Sequence, residues 1–298
     1  MIYFILNELQ KIKISVLIVT SNIIITYIRT KERLFPVLPM VVENKGIISY
    51  IRVLKEDLEI IRIVPSEGTV PDFKAGQFVT LSLMNPDEGK LVRRAYSIAS
   101  PPEKKKYFEL LIRWVKKPLP GRLTTQIFNR NEGDEIGWLK PTGIFTINEK
   151  MHDGTQDNRR LVLIGGGTGL APFIAYSLHL KSIGSKREIV VLHGASYVDE
   201  LSYRELLTEL EEESEDKGKD NWNFKYRASI SRPHEPFNRS WGGQKGRVES
   251  FLRPEPGGNT SPLEDLVGEK SHLKYIILCM WLARNCGWCV RFLEPKDL

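Results

Sequence analysis

The stretch Leu161-Val162-Leu163-Ile164-Gly165-Gly166-Gly167-Thr168-Gly169 decides how this chain folds. Four apolar residues running straight into glycines read as a buried strand ending in a tight turn. A helical pattern follows from Pro172 to about Lys181. Toward the C-terminus the alternation repeats. A strand is expected at 188–193, a helix around 201–213, and further strands at 224–230 and 275–278. Strand and helix in alternation predict a parallel, doubly wound α/β sheet. Toward the N-terminus the rhythm differs. Short Ile- and Val-rich runs at 47–53, 58–64, 78–83, 96–99 and 108–115 are separated by Pro65-Ser66-Glu67-Gly68, Asn85-Pro86-Asp87 and Pro101-Pro102. Short strands with turn signals between them predict an antiparallel barrel or sandwich. The expected organisation is a β domain over 40–148 and an α/β domain over 158–298, joined near residues 148–160.

Composition agrees with two packed domains. Hydrophobic residues make up 41% of the 298, charged residues 27%, with 10 Tyr, 12 Phe and 6 Trp. That excludes disorder as the main state. Three cysteines exclude a disulfide scaffold and a four-cysteine zinc or iron–sulfur site. Nothing points to an oxidising compartment, and a cytoplasmic location is expected. The net charge of +6 is unevenly spread. Residues 1–39 carry 5 basic and 2 acidic side chains, residues 40–148 carry 17 and 13, and residues 149–298 carry 21 and 22. The basic excess belongs to the first half. It suits an acidic partner, while no aromatic–basic stripe or recognisable motif supports nucleic-acid binding.

Residues 1–39 stand apart. Residues 14–28 form an uncharged, Ile-rich run of 15 residues between Lys13 and Arg29, diluted by Ser15, Thr20, Ser21, Asn22 and Thr26. A spanning helix needs about 17–25 apolar residues, so stable membrane insertion is not expected. The readings left are a weak anchor and an extension outside the fold, with Met40 as the start of the ordered pattern.

Three motifs carry candidate chemistry. Gly165 to Gly169 would let a ligand phosphate approach the main chain at the start of a helix, where free N–H groups and the dipole favour anions. The spacing is neither G-x-G-x-x-G nor a phosphate loop ending in Gly-Lys-Ser/Thr, so it equally suits a plain strand–helix connection. Arg94-Ala95-Tyr96-Ser97 presents a guanidinium for a phosphate, a ring for a flat heterocycle and a hydroxyl for a ring nitrogen. Alone, it is an ordinary strand. Gly121-Arg122-Leu123-Thr124-Thr125 opens a helix at 126–128 and reads either as an anion site or as simple capping by Thr.

Their order is more specific than any one of them. An Arg-x-Tyr-Ser strand, a Gly-x-x-Thr helix start and a Gly-Gly-Thr-Gly turn resemble the ferredoxin/flavodoxin–NADP reductase family in its bacterial type. The resemblance spans roughly residues 45–279. It takes in Phe73-Lys74-Ala75-Gly76-Gln77-Phe78-Val79, Pro141-Thr142-Gly143, Thr168-Gly169-Leu170-Ala171-Pro172-Phe173, His193-Gly194-Ala195-Ser196 and Asp199-Glu200-Leu201-Ser202-Tyr203. It implies an N-terminal antiparallel FAD-binding β-barrel followed by a doubly wound parallel α/β nucleotide-binding domain. Arg94 would pair with the flavin diphosphate, Tyr96 would stack on the isoalloxazine ring, and Ser97 would lie near its N5. Ala95, Leu111 and the Gly121, Arg122, Leu123 and Thr124 segment would complete the FAD site. Gly167, Thr168 and Gly169 would stand where flavin and nicotinamide meet, and Cys279 would face the nicotinamide. No general acid–base pair is expected, because the cofactors carry the redox chemistry.

The choice of NADP over NAD would rest on cations at the 2′-phosphate. Relatives that use NADPH commonly have Arg where this chain has Ser196. Ser231-Arg232 and Gly246-Arg247-Val248 fit the two other basic positions. NADP is therefore expected, with NAD as the alternative. The histidines, His193 included, are not read as catalysts.

One departure is large. After Tyr275-Ile276-Ile277-Leu278-Cys279 the family has a Cys-Gly-x-Pro turn and a helix, but this chain continues Met280-Trp281-Leu282-Ala283-Arg284-Asn285-Cys286-Gly287-Trp288-Cys289. A reading-frame error in the underlying gene is the preferred explanation, and a genuine divergence would damage the nicotinamide site. Cys279, Cys286 and Cys289 lack a nearby His and are not read as a metal site. The expected function is an FAD-dependent, ferredoxin–NADP reductase-like monomeric enzyme passing electrons between NADP(H) and ferredoxin or flavodoxin. The alternatives are an NADH-dependent flavin reductase or oxygenase-type reductase component, and a flavin-binding subunit without turnover.

Overall fold

The computed structural model describes residues 43–116, 118–151, 153–217, 222–254 and 257–268 with their side chains, and the main chain alone of five further strands. Three of these, β1 (Ile14–Thr20), β2 (Ile23–Thr30) and β3 (Arg33–Val41), pair as an antiparallel meander within a first unit, Met1–Asn44. The second unit runs from Lys45 to Leu298.

The second unit begins with a six-stranded antiparallel sheet: β4 (Asn44–Lys55), β5 (Leu58–Pro65), β6 (Phe78–Asn85), β7 (Lys90–Ser97), β8 (Phe108–Arg113) and β9 (Glu135–Thr142). Its order is β7-β6-β9-β4-β5-β8, and a bridge between Ile98 and Leu110 joins the two outer strands' ends. The sheet thus curls on itself as the expected barrel, which protects its edges. Alternation along the strands explains what fills it. On β8, Phe108, Leu110 and Ile112 face the barrel core with Ile61, Ile63, Val79, Leu81 and Trp138. Leu111, between them, faces the other way. Helix α1 (Thr124–Phe128) sends Ile127 into the barrel core beside Leu123.

The second sheet has the order β13-β12-β11-β10-β14-β15. Strands β10 (Arg160–Gly166), β11 (Ile189–Ala195), β12 (Phe224–Ile230), β13 (Gln244–Lys245) and β14 (Tyr275–Ala283) run parallel, and β15 (Gly287–Leu293) pairs antiparallel with β14. Helices α2 (Ala171–Ser182), α3 (Arg204–Lys217) and α4 (Pro262–Val267) cover it. Leu161, Leu163, Ile189 and Val191 point to the side of α2 and α3, where they meet Phe173, Ile174 and Leu207. Val162, Ile164, Val190 and Leu192 point to the other side, against Val248, Phe251, Leu263 and Val267. Both faces of the central strands are buried, which is why these runs are continuously apolar. Among the described residues no helix is long and apolar enough to cross a membrane.

The two sheets share a core. Leu58, Ile60, Leu111 and Phe145 from the barrel side pack with Leu163, Phe173 and Tyr176. Gly76 makes the closest approach. It has φ +89°, and a Cβ there would lie 2.0 Å from the Phe145 carbonyl oxygen and 2.2 Å from the Tyr176 hydroxyl. The Tyr176 hydroxyl donates to that same carbonyl at 2.6 Å.

Candidate functional site

The strand end Arg94–Ser97 closes β7, at the edge of the barrel sheet, with Arg94 opposite Leu81 and Tyr96 opposite Val79. Residues two apart share a face, so Arg94 and Tyr96 stand together. The Arg94 guanidinium is exposed and donates to the Arg93 carbonyl at 2.7 Å. Among the described residues no carboxylate pairs with it. The Tyr96 ring packs on the barrel core, and its buried hydroxyl has no partner among the described residues. Burial pushes that phenol's pKa well up, and the Arg94 charge pulls against it only weakly, so it stays a neutral hydrogen-bonding group. Ala95 is exposed and Ser97 half-buried.

The Gly121–Thr124 segment reaches the same hairpin through Arg122, whose Nε donates to Glu88 Oε1 at 2.6 Å and whose Nη2 pairs with Glu88 Oε2. Glu88 lies in the turn between β6 and β7. The Arg122 guanidinium is therefore already engaged, and its main chain is what remains for a ligand. Leu123 is buried, and its side chain serves the barrel core. The helix it opens has five residues and no side-chain cap bond, so capping by Thr is not its purpose. Thr124 Oγ1 donates to the Gly121 carbonyl at 3.4 Å, and a Cβ on Gly121 would lie 2.2 Å from that oxygen. The Leu111 side chain is 4% exposed and packs between the two sheets, because the β8 alternation turns it away from the barrel, while its main chain follows Leu110, which bridges to Ile98 at the strand end.

The second cluster lies on the α/β sheet. Gly166 is in register with Gly194, Ala195 with Ile230, and Ile230 with Lys245. The segments that follow, with Gly167, Thr168 and Gly169, then Ser196, then Ser231 and Arg232, then Arg247, leave the sheet at the carboxyl ends of neighbouring parallel strands. In open α/β sheets that edge is where ligands bind. Gly165 allows the turn, since a Cβ there would sit 2.9 Å from Leu170 Cα. Gly167 takes φ +54° and opens a 3-10 turn, Gly167–Leu170, ahead of α2. The helix itself starts at Ala171, within one residue of the expected Pro172.

Buried polar groups that sequence reasoning missed hold these loops. Glu200 accepts the Ser196 N–H at 3.3 Å, Arg113 Nη1 at 3.2 Å and Lys55 Nζ at 3.4 Å. Tyr203 donates to Glu109 Oε1 at 3.1 Å from a left-handed backbone, φ 57°. Arg62 Nε also donates to Glu109, at 2.6 Å. The barrel strands β4, β5 and β8 thus grip the segment 199–203. Asn238 donates to the Ser196 and Arg232 carbonyls and accepts the Val198 N–H. Arg232 Nη1 donates to the Tyr197 hydroxyl at 2.6 Å, and Arg247 Nε lies 3.6 Å from Glu249 Oε2. Ser231 donates its N–H to the Ala195 carbonyl.

Cys279 stands opposite Ile164 in register, and its side chain lies outside the described residues. The main chain does not turn after Cys279. Strand β14 continues to Ala283 and pairs with β15. His193 is fully buried beside the Tyr226 hydroxyl at 3.3 Å, opposite Gly165 in the pairing of β10 with β11. Among the described residues no group of three or more His, Cys, Asp or Glu could hold a metal ion.

The model of the oxidoreductase FAD-binding domain matches residues 46–147, and that of the oxidoreductase NAD-binding domain matches residues 163–265. The chain belongs to the ferredoxin–NADP reductase family. It is 35% identical over 144 residues to the ferredoxin–NADP reductase of Pseudomonas aeruginosa, which covers 48% of this chain and 52% of that protein. It is 32% identical over 177 residues to a component of the Na(+)-translocating NADH-quinone reductase of Marinomonas sp., covering 55% and 40%. The chain thus spans about half the length of the curated relatives it matches. In fold it is similar to a ferredoxin NADP+ reductase from Neisseria gonorrhoeae with bound FAD and NADP, with TM-score 0.60 and 21% identity, covering 79% of this chain and 83% of that one. The residues present fit a flavin nucleotide. An unpartnered buried phenol and a guanidinium free of carboxylates share one strand face, and anion-tolerant glycine turns stand at both sheets.

Proposed function

We propose that this oxidoreductase moves electrons between NADP(H) and a small acidic carrier such as ferredoxin or flavodoxin, with FAD as its bound cofactor. The observation that carries the reading is the β7 strand end, where Arg94 and the buried, unpartnered Tyr96 hydroxyl stand two residues apart. Arg94 would hold the diphosphate, Tyr96 would cover one face of the ring, and Ser97 would donate near its reacting nitrogen. The main chain of Gly121–Thr124 would bind the diphosphate from the other side. Bound FAD supplies a ring that takes two electrons together and gives them up singly. Thr168 would sit between the two nucleotides. Arg232 and Arg247, at the ends of β12 and β13, favour NADP because an arginine pairs strongly and directionally with a phosphate.

Stopped-flow reduction of the bound flavin by NADPH and NADH in parallel tests this. The expected result is faster reduction by NADPH, and equal or faster reduction by NADH overturns the NADP preference. That second reading has its own support in Ser196, which puts a hydroxyl where the resemblance expects a cation, and in the relative named for NADH-quinone reduction. The acidic carrier is tested by salt. The basic excess of residues 40–148 should make carrier reduction fall steeply with ionic strength, and a flat response removes charge steering.

A further inference from the structure

Arg232 is held in an unusual way. Its guanidinium is bonded to a neutral group, the Tyr197 hydroxyl at 2.6 Å, and lies 5.2 Å from the centre of the Tyr197 ring. Among the described residues no carboxylate pairs with it. Lys55 shares that ring, its ammonium 4.0 Å from the centre, but Lys55 is balanced by Asp199 and Glu200, each at 3.4 Å. Two cations therefore meet one aromatic ring, and only one of them is neutralised.

The main chain of Arg232 is fixed by a second neutral group. Asn238 is 1% exposed and ends the short 3-10 turn Pro236–Asn238. Its Nδ2 donates to the Arg232 carbonyl at 2.7 Å and to the Ser196 carbonyl at 3.1 Å. Its Oδ1 accepts the Val198 N–H at 3.0 Å. Both amide hydrogens and the carbonyl oxygen are used, so the side chain has one orientation. It staples the segment leaving β11 to the segment leaving β12.

We infer that Tyr197 and Asn238 are specificity-determining positioning residues, which hold Arg232 fixed but not neutralised so that it receives the phosphate on the nucleotide's ribose. A carboxylate in place of the Tyr197 hydroxyl would fix the Arg232 guanidinium equally well but would cancel the charge that an anion must find, and a carboxylate in place of Asn238 could not donate to the Arg232 and Ser196 carbonyls. The inference rests on the NADP reading above and adds the residues that make it work.

The test is equilibrium binding to the full-chain flavoprotein of two fragments, 2′,5′-ADP and 5′-AMP, which differ only by the ribose phosphate. It is accompanied by KM and kcat with NADPH and NADH. Tyr197→Phe keeps the ring and removes the hydroxyl. Asn238→Ala removes the staple. Each should weaken 2′,5′-ADP about tenfold, as expected when a bond serving a charged group is lost. Binding of 5′-AMP should change little, and KM for NADPH should rise while kcat holds. Arg232→Ala tests the receiver by itself. If it leaves the preference for 2′,5′-ADP intact, Arg232 is not the receiver and the positioning inference is overturned, whereas the absence of any preference for 2′,5′-ADP in the unaltered protein is what makes the NADP reading itself fail. If Arg232→Ala abolishes the preference but Tyr197→Phe and Asn238→Ala keep it, the positioning inference is overturned. Equal loss of both fragments also overturns it, because that marks a general structural role. Should Asn238→Ala not fold, Tyr197→Phe decides by the same criterion.

Discussion

On the barrel, the groups that could meet a flavin stand in one unbroken stretch, Arg94–Ser97, with the nearby Gly121–Thr124 segment tied to the same hairpin by Arg122 and Glu88. On the α/β half, the groups that could meet a second nucleotide are spread over four loops, from Gly165 to Arg247. Strand pairing aims the first set, since a residue on β7 inherits its direction from the ladder with β6. Nothing so regular aims the second. Its loops depend on buried polar side chains, Glu200 and Asn238, and on a grip from the barrel through Lys55, Glu109 and Arg113. A strand supplies orientation through its own main chain, whereas loops must borrow it from elsewhere in the molecule. The α/β site should therefore be far more sensitive than the barrel site to changes remote from it.

The largest effect is expected where the two halves meet. Gly76→Ala would place a methyl group 2.0 Å from the Phe145 carbonyl, on a backbone with φ +89° that L side chains rarely adopt. The Tyr176–Phe145 bond could not survive in place. A loss of roughly 3 kcal/mol or more is expected, from strain and a broken buried bond together. For a unit of this size that is on the order of 6–12 °C in melting temperature. Gly89→Ala is the matched control, with φ +60° at a hairpin tip and nothing within 4 Å. Thermal melts of the two variants settle the matter. Equal shifts would show that backbone conformation alone, and not the junction, sets the cost.

Next comes one substitution made in two places. Glu200→Gln removes a buried charge that faces Arg113, Lys55 and the Ser196 N–H. About 2 kcal/mol should be lost, because a buried ion pair broken on one side leaves cations unbalanced. Asp57 and Asp199 retain part of the balance. Glu88→Gln, in the exposed pair with Arg122, should leave the melting temperature essentially unmoved, since exposed pairs contribute little. Urea unfolding of both variants measures the contrast. A larger loss at Glu88 would reverse the view that the α/β loops, and not the barrel hairpin, depend on ionic support.

The same difference governs what the sequence reveals. Strands such as β10 and β11 are legible because burial on both faces writes an unbroken apolar run. Strand β9 is not. Glu135-Ile136-Gly137-Trp138-Leu139-Lys140 buries only Ile136 and Trp138 fully, so its alternation is short and polar, and only Pro141-Thr142-Gly143 marked its end. Strand β7 also starts earlier than expected, at Lys90, because Val92 alone of its first residues is buried. The candidate flavin site is legible as a contiguous motif. The supports of the nucleotide site are not, because Lys55 lies 145 residues from Glu200 and Asn238 lies 42 from Ser196. Asn238 sits in a Pro-containing turn where an asparagine needs no special explanation. Its importance emerges only when three chain segments are brought around it. Leu111 shows the converse: the resemblance makes it a neighbour of the cofactor, and strand alternation gives its side chain to packing, which leaves its main chain for a ligand.

The smallest effect sharpens the comparison from inside the α/β sheet. His193, on β11, is fully buried, and burial pushes its imidazole down to about 3. The folded protein therefore keeps it neutral, while in the unfolded chain it takes a proton near 6.5. With the folded value depressed, the unfolded state binds more protons below 6.5, so stability falls as pH falls from 6.5 toward 3. Between pH 7 and 5.5 this one group should remove about 1 kcal/mol, and the amount barely depends on the folded value as long as that lies well below 5. His193→Asn keeps a polar group near the Tyr226 hydroxyl and has no proton to gain. Its unfolding free energy should be lower at pH 7 but should decline less between pH 7 and 5.5 than that of the wild type. Parallel slopes in urea titrations at the two pH values would show that His193 is protonated in the folded state, and that the interior of this sheet is wetter than its packing implies. A flattened slope, with flavin reduction rates unchanged, would assign His193 to the scaffold that carries the loops and leave the nucleotide chemistry to the loops themselves.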